Sequence, residues 1–170
     1  ESTLDDLAGR MMTSFLDSPL ANPPGNVLAI EETLTTTLAE DLPDLLARID
    51  LIYQGDGVLG VIDFKTSQSS WTPAKAAESA EQLHLYQHAA ADMIRAFNLP
   101  VKLSFGILTK HKKPRAELIN VPAESNRLEQ TAETIRQVWS AVRAGTFYPS
   151  PNPMNCATCA HKSQCPTHTS

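Results

Sequence analysis

The chain has 170 residues, of which 42% are hydrophobic and 19% charged, a composition typical of an ordinary globular domain. This length allows one domain with its own core and is short for two. The net charge of −5 argues against a surface coated in nucleic acid, because such domains are often strongly basic. No apolar run approaches the ~20 residues needed to span a bilayer.

The amino-terminal segment 1–12 lacks both the basic region and the apolar run of a secretory signal peptide. The three cysteines all lie within 156–165, and an odd number in so short a segment makes a poor disulfide framework. We therefore expect a cytoplasmic protein with no membrane partner, in which the cysteines form part of a metal site.

The first predicted element is a helix capped by Thr3, with apolar positions at helical spacing. Segment 17–26 is rich in Pro and ends this helix as a loop. Segment 27–38 is rich in β-branched residues and predicts a strand. Two more strands follow at 48–53 and 58–64, separated by a short loop that contains an Asp-Gly pair.

The second half begins with an Ala-rich segment, 73–97, that predicts one helix with Thr72 as its N-cap. Segments 101–110 and 116–122 predict a pair of strands, and a last helix with an apolar stripe follows. This order predicts an α/β fold with a mixed central sheet flanked by helices.

The turn between the last two strands is strongly basic. Its cations are Lys110, Lys112, Lys113 and Arg115. Charge alone fits a solvated hairpin turn and a local basic groove equally well.

Asp56 and Gly57 favour a two-residue turn in a tight hairpin. Asp50 then lies opposite Asp63, with their Cβ atoms roughly 5 Å apart, and Lys65 shares the face of Asp63 because side chains alternate along a strand. Two facing carboxylates suit a hard divalent cation, and the lysine could orient a water or neutralise charge on a phosphate. The alternative is an exposed pair of charges on one strand, with Asp50 capping a turn.

The pattern "RIDLI…VIDFKTS" resembles the RecB-like branch of the PD-(D/E)XK nucleases, found in helicase-nucleases, phage-type exonucleases and CRISPR adaptation nucleases. The resemblance covers about residues 27–165 and implies a restriction-endonuclease-like fold, Mg²⁺ or Mn²⁺ as cofactor and DNA as substrate. It implies that Asp50, Asp63 and Lys65 are catalytic, and that the two aspartates hold the metal together with the backbone carbonyl of Phe64.

The next element of that family is Q-x-x-x-Y on a helix, matched here by Gln82 and Tyr86. Residues four apart share a helix face, so both are expected to orient the substrate or the lysine; a surface pair is the alternative. The resemblance also suggests Glu31, or Glu32 beside it, as an auxiliary site residue and Lys110 as a phosphate contact. His84 and His88 on the same helix are expected to be packing or surface residues.

The tail carries the spacing C-x2-C-x5-C at Cys156, Cys159 and Cys165, similar to the iron–sulfur members of the family. Three thiolates at such spacing can hold part of a [4Fe–4S] cluster. The fourth ligand of the family, an upstream cysteine, is missing here. A zinc site completed by His161 or His168, or simply reduced cysteines, are the alternatives.

A metal-binding histidine usually precedes the first strand in this family, yet no histidine precedes His84. Both missing ligands would lie near the amino terminus, which predicts a piece of a larger nuclease. We expect a nuclease core at 1–148 and a Cys-rich segment at 149–170 that packs on it.

These features predict a metal-dependent DNA nuclease, most simply an exonuclease, that serves DNA repair, recombination, or phage or CRISPR processing. A helicase or another subunit of a larger complex is an expected partner. The alternative is a catalytically inactive module that keeps the fold for DNA binding or assembly. A zinc-binding protein-interaction domain is the third possibility.

Overall fold

The structure, a computed structural model, describes residues 3–122, 125–146, 149 and 152–165, without the side chains of residues 125 and 126. The elements of the first half are α1 (Leu4–Leu16), β1 (Asn26–Thr36), β2 (Leu45–Gly55), β3 (Val58–Ser67) and α2 (Pro73–Glu78). Those that follow are α3 (Glu81–Ala89), α4 (Ala91–Phe97), β4 (Val101–Thr109), β5 (Ala116–Val121), α5 (Ser125–Arg143) and α6 (Pro153–Ala157), with a 3₁₀ turn at Lys162–Gln164.

The helix starts follow the predicted capping residues. The Thr3 hydroxyl accepts a hydrogen bond from the backbone N–H of Asp6, whose side chain accepts one from the Thr3 N–H, which completes a capping box. Thr72 caps α2 in the same way, with Pro73 in the first turn. Both helices therefore begin where the sequence predicts.

The five strands form one sheet in the order β1-β2-β3-β4-β5. All neighbouring strands are antiparallel except β3 and β4, which run parallel. The predicted α/β fold with a mixed sheet is therefore confirmed. The carboxyl ends of β3 and β4 lie side by side, because Lys65 pairs with Ile107 and Ser67 with Thr109.

The two faces of the sheet are covered unequally. The main core lies on the face covered by α2, α3 and α4, where Leu83 and Ala90 pack with strand residues such as Val61 and Phe105. The opposite face carries a small cluster of Leu51, Tyr53 and Ile62, packed with Phe64. There α1 contributes Phe15, whose ring meets that of Phe64 edge-on at a centroid distance of 5.7 Å.

The helix predicted at 73–97 is wrong as a single element, since the structure has three helices there. The breaks lie at Ser79 and Ala90, where ψ is 2° and 11°, outside the helical range. No Gly or Pro marks either position, so packing of Ala80 and Ala90 into the core overrides the local helix propensity.

The chain divides into two compact units, residues 1–133 and 134–170. The first holds the sheet, and the second includes α6 and the 3₁₀ turn. The predicted boundary at 148 stays a prediction. None of the described helices has the length and apolarity to cross a bilayer.

Candidate active site

The hairpin of β2 and β3 has the predicted two-residue turn. Asp56 and Gly57 both have positive φ, 52° and 72°, as a type I′ turn requires. The ladder runs from the pair Gly55–Val58 to the pair Leu51–Ile62. The ladder ends one position before Asp50 and Asp63, so their direct pairing stays a prediction, although the charge of Asp50 acts on the pKa of Asp63.

Strand β2 is irregular where it reaches Asp50. Ala47 and Ile49 belong to the same core cluster as Ile52, whereas Leu51 belongs to the cluster on the other face. Strict alternation would place 47, 49 and 51 on one face, so the alternation is interrupted at Asp50. The pairing with β1 keeps its register across this point, because Ile30 pairs with Leu51 and Glu32 with Ile49, so no residue is inserted.

The carboxylate of Asp50 is held against the neighbouring strand. Its Oδ2 accepts a hydrogen bond of 2.7 Å from the backbone N–H of Phe64. This contact fixes the distance between the two acidic strands at the point where Asp63 precedes Phe64. The metal-binding role of the Phe64 carbonyl stays a prediction, whereas the contact of its N–H with Asp50 was not predicted.

Four side chains, including that of Asp63, form a ring of contacts. The Lys65 Nζ lies 2.7 Å from Asp63 Oδ2 and donates to Gln82 Oε1 at 2.9 Å. The Gln82 Nε2 donates to the Tyr86 hydroxyl at 2.6 Å, and Tyr86 lies close enough to Asp63 to act on its carboxyl, whose pKa it helps to lower. The structure therefore brings Asp63, Lys65, Gln82 and Tyr86 into one cluster, with Asp50 beside it.

Burial sets the electrostatics of this cluster. Asp63 is only 2% exposed, and burial raises the pKa of its carboxyl, with the Asp50 charge acting in the same direction and Lys65 and Tyr86 opposing it. Burial likewise raises the pKa of Tyr86, helped by the charges of Asp63 and Asp50. The Lys65 side chain is 35% exposed and so reaches solvent from the same site.

The two aspartates fit a divalent cation. Although Asp63 Oδ2 is ion-paired with Lys65, it is buried and has no partner at hydrogen-bonding geometry, so it has a lone pair to offer. Mg²⁺ commonly binds proteins through one or two carboxylates and keeps several waters. Among the described residues no group of three or more His, Cys, Asp or Glu side chains could hold a metal, so the donor set here is the Asp50–Asp63 pair.

The auxiliary residues inferred from the resemblance lie apart from the ring. Glu31 forms an exposed ion pair with Arg48, and it does not join the two aspartates in a three-ligand cluster among the described residues. It has an unusual positive φ of 51°. Lys110 is exposed just beyond β4, and its backbone N–H donates to the Ser67 carbonyl at 2.6 Å.

The two histidines of α3 hydrogen-bond to backbone. His84 is buried with Nε2 3.1 Å from the Pro122 carbonyl oxygen, and His88 Nε2 lies 3.1 Å from that of Thr37. A backbone carbonyl only accepts hydrogen bonds, so both rings carry their proton on Nε2. Both contacts fit the packing role predicted for these residues.

The second unit places the cysteines on and after α6. Cys156 and Cys165 are partly exposed and Cys159 is exposed, and none of the three forms a disulfide. The described part of the chain, which includes all three, gathers no metal-binding group from them. The predicted iron–sulfur site is thus without support here, and the alternative zinc ligand His168 lies outside the described residues.

Two features of the site escaped the sequence analysis. The proximity of Tyr86 to Asp63 joins the helix motif to the buried acid of β3. Phe15 of α1 supports Phe64 from the opposite face of the sheet. The motif spacing could have suggested the first, whereas no local signal links Phe15 to a strand so distant in sequence.

A protein-family model matches nearly the whole chain. The family model described as the PD-(D/E)XK nuclease superfamily matches residues 1–166. No curated protein matches the sequence.

Two solved structures are similar in fold. A candidate exonuclease from Eubacterium rectale shares 14% identity over 94% of this chain, with a TM-score of 0.55, and this chain spans only 58% of that protein's length. SSO0001 shares 18% identity over 96% of this chain and 68% of its own, with a TM-score of 0.46. The first likeness supports the restriction-endonuclease-like fold, and the second is too distant to add to it.

Proposed function

Because the chain belongs to the PD-(D/E)XK nuclease superfamily, we propose that it is a metal-dependent nuclease that hydrolyses phosphodiester bonds in DNA. The observation that carries this proposal is the ring of Asp63, Lys65, Gln82 and Tyr86 beside Asp50. A buried acid held this way is costly for a structural role, since desolvation already raises its pKa.

Asp50 and Asp63 would hold Mg²⁺ or Mn²⁺. When bound, such an ion polarises a phosphate oxygen and lowers the pKa of a bound water. Asp50 is already positioned for this task, because the Phe64 N–H occupies one of its acceptor sites and fixes the orientation of the carboxylate. Asp63 contributes the buried oxygen that lacks a hydrogen bond.

Lys65 would act on the attacking water or on the phosphate. A lysine ammonium has three donors, of which one is given to Gln82, while the charge of the group forms an ion pair with Asp63. Because the Lys65 side chain is partly exposed, a remaining donor could reach a water or a phosphate oxygen as charge develops. Gln82 and Tyr86 hold the lysine and the acid in register and would keep this donor aimed at the substrate.

The test is cleavage of labelled linear DNA with Mn²⁺, comparing the unmodified chain with Lys65→Ala. We expect Lys65→Ala to lose at least ~100-fold in rate, because it removes a donor needed in the transition state, while metal binding and folding stay near those of the unmodified chain. Lys102→Ala, which removes a lysine at the far end of β4, is the matched control and should cut normally. Cleavage by Lys65→Ala at the unmodified rate would show that the role is misassigned.

Exonuclease action, service in DNA repair, recombination, or phage or CRISPR processing, and a helicase partner belong to the same proposal. They are supported by the motif pattern and by the family. Release of mononucleotides from one end of the labelled strand would distinguish exonuclease action from internal cutting.

A catalytically inactive module for DNA binding or assembly is the second candidate. It is favoured by the limited donor set, since the described residues offer two carboxylates and no third His, Cys, Asp or Glu side chain beside them. Absence of any Mn²⁺-dependent cleavage, together with retained DNA binding, would favour this candidate over the first.

A further inference from the structure

A second polar feature lies at the same end of the sheet as the candidate active site. It is a groove of about 320 Å³ beyond the carboxyl ends of β3 and β4. The lining residues used below are Ser69, Ser70, Thr109, His111, Lys113 and Arg115, which we call the basic groove.

The basic groove opens on the same face of the sheet as Lys65. Thr109 continues the alternation of Phe105 and Ile107, both in the core under the helices. Asp63 and Lys65 continue the same face on the neighbouring strand β3. Lys65 pairs with Ile107 and is two residues from the end of its strand, so the groove begins roughly 7 Å beyond it at ~3.3 Å per residue.

The basic turn is held in place at several points. The Thr109 N–H donates to the Arg115 carbonyl, and the Arg115 N–H donates to the Thr109 hydroxyl, both at 2.9 Å. The Lys110 N–H donates to the Ser67 carbonyl, and the Pro114 carbonyl accepts from the Ser14 hydroxyl of α1 at 3.2 Å. A free solvated turn needs no such anchoring, whereas a binding surface gains affinity from it.

The charge of this segment contrasts with that of the chain. The segment 110–115 carries four cations and no acid, in a protein with a net charge of −5. Within the described residues, none of these four cations forms a salt bridge, whereas Arg48, Lys65 and Arg95 all do. Concentrated unpaired positive charge in an acidic protein is the signature of a site for a polyanion.

We infer that the basic groove binds the sugar–phosphate backbone of one nucleic-acid strand on its way to or from the Asp63–Lys65 site. The Ser70 hydroxyl donates to Glu117 at 3.2 Å, and the other lining residues offer hydroxyl, imidazole, ammonium and guanidinium donors, which suit phosphate oxygens. Among the residues that the structure describes, no Phe, Tyr or Trp lines it, so this lining offers no platform for stacking bases, and we expect its binding to be independent of sequence. Its volume suits a single strand rather than a double helix. This inference rests on the proposed function for its ligand.

The test measures binding without cleavage. A fluorescein-labelled twelve-nucleotide oligothymidylate is titrated with the whole chain in EDTA, and the Kd is followed by anisotropy over a range of salt concentrations. The groove variant is Lys113→Gln with Arg115→Gln. The control is Lys102→Gln with Arg95→Gln, which changes the net charge equally at positions outside the groove.

We expect the groove variant to weaken binding at least tenfold at ~0.1 M salt. We also expect its slope of log K against log salt to shrink by about 1.4, since each phosphate contact with a single strand contributes ~0.7. The control should stay within about twofold of the unmodified chain. Since Arg95, Lys113 and Arg115 are exposed and Lys102 is partly exposed, thermal melts should coincide for all proteins.

Equal losses in the groove variant and the control would overturn the inference, because binding would then depend only on net charge. Tighter binding of a blunt duplex of the same length would overturn the single-strand assignment. If groove-dependent binding is observed and Mn²⁺ supports no cleavage, the groove stands and the nuclease proposal fails. If the protein cleaves DNA and the groove variant binds and cuts like the control, the groove fails and the nuclease proposal stands.

Discussion

Asp63 is the residue in which function conflicts most directly with stability. Its side chain is 2% exposed, and burial is the largest cause of its raised pKa. A buried carboxyl with a raised pKa is harder to ionise in the folded protein than in water, yet a metal ligand must be ionised. The folded protein therefore carries an unfavourable charge at neutral pH that the proposed cation would offset.

Asp63→Asn should abolish Mn²⁺-dependent cleavage and raise the free energy of unfolding near pH 7 by about 1 kcal/mol. The folded pKa of Asp63 lies above its ordinary value of 3.8. The stability contributed by this carboxyl is therefore fully present below pH ~3.8 and is lost as pH rises through the folded pKa. The difference in the free energy of unfolding between the variant and the unmodified protein, measured by urea unfolding, should increase from acid to neutral pH.

Asp92→Asn is the matched control for that measurement. Its carboxylate is 94% exposed in an ion pair with Arg95, and exposed pairs of this kind contribute little. Its unfolding free energy should stay within about 0.5 kcal/mol of the unmodified protein at every pH. If the difference in the free energy of unfolding between Asp63→Asn and the unmodified protein became smaller toward neutral pH, Asp63 would not be a destabilising buried charge.

At the scale of elements, the site depends on how closely β3 and β4 approach. Gly106 pairs with Phe64 across the parallel ladder. A Cβ at Gly106 would lie 2.5 Å from Phe64 Cδ1, far inside van der Waals contact, and the same ring is held on its other side by Phe15. Phe64 has little room to move, and its N–H holds Asp50.

Gly106→Ala should therefore destabilise the protein by ~1–3 kcal/mol and lower the cleavage rate through the displaced Phe64. Gly9→Ala in α1 is the control: no atom lies within 4 Å of its added Cβ, and alanine should stabilise that helix by up to ~1 kcal/mol. Combining Gly106→Ala with Phe64→Leu should recover part of the lost stability in thermal melts. An unchanged melting temperature for Gly106→Ala alone would show that the strands separate easily.

The hairpin was predictable because its determinants are local. Asp50, Asp63 and Lys65 lie on two strands joined by Asp56 and Gly57, whose turn type sets the register. The break between α2 and α3 at Ser79 was not predictable, because the alanine-rich sequence favours one helix and only packing against the sheet divides it. The positive φ of Glu31 is equally hidden, as glutamate rarely adopts it.

At the scale of the whole molecule, contacts between distant segments decide what the sequence cannot. The basic groove needs the ends of β3 and β4 side by side, and only their parallel pairing brings residues 68–70 to residues 109–115. The family match over 1–166 agrees with the resemblance inferred from the motifs. That resemblance was based on the spacing of Asp63, Lys65 and Gln82.

The tail of the second unit allows a test of its own. If Cys156, Cys159 and Cys165 belong to a [4Fe–4S] site, the chain purified anaerobically should absorb blue light and look brown. Replacing Cys159 by Ser should then remove the colour. A colourless protein with stoichiometric zinc would favour the zinc alternative. A preparation with neither metal would refute both.

The two-residue turn also bears on how the protein reaches its native state. A hairpin this tight closes in roughly microseconds, whereas pairing β3 with β4 must wait for the intervening helices to be arranged. We therefore expect Asp50 and Asp63 to meet while Gln82 and Tyr86 are still far away, so that their mutual repulsion opposes the very step that nucleates the sheet. The two carboxylates proposed for catalysis are therefore expected to slow this folding step. Lys65 and cations from the solution would reduce the repulsion between them.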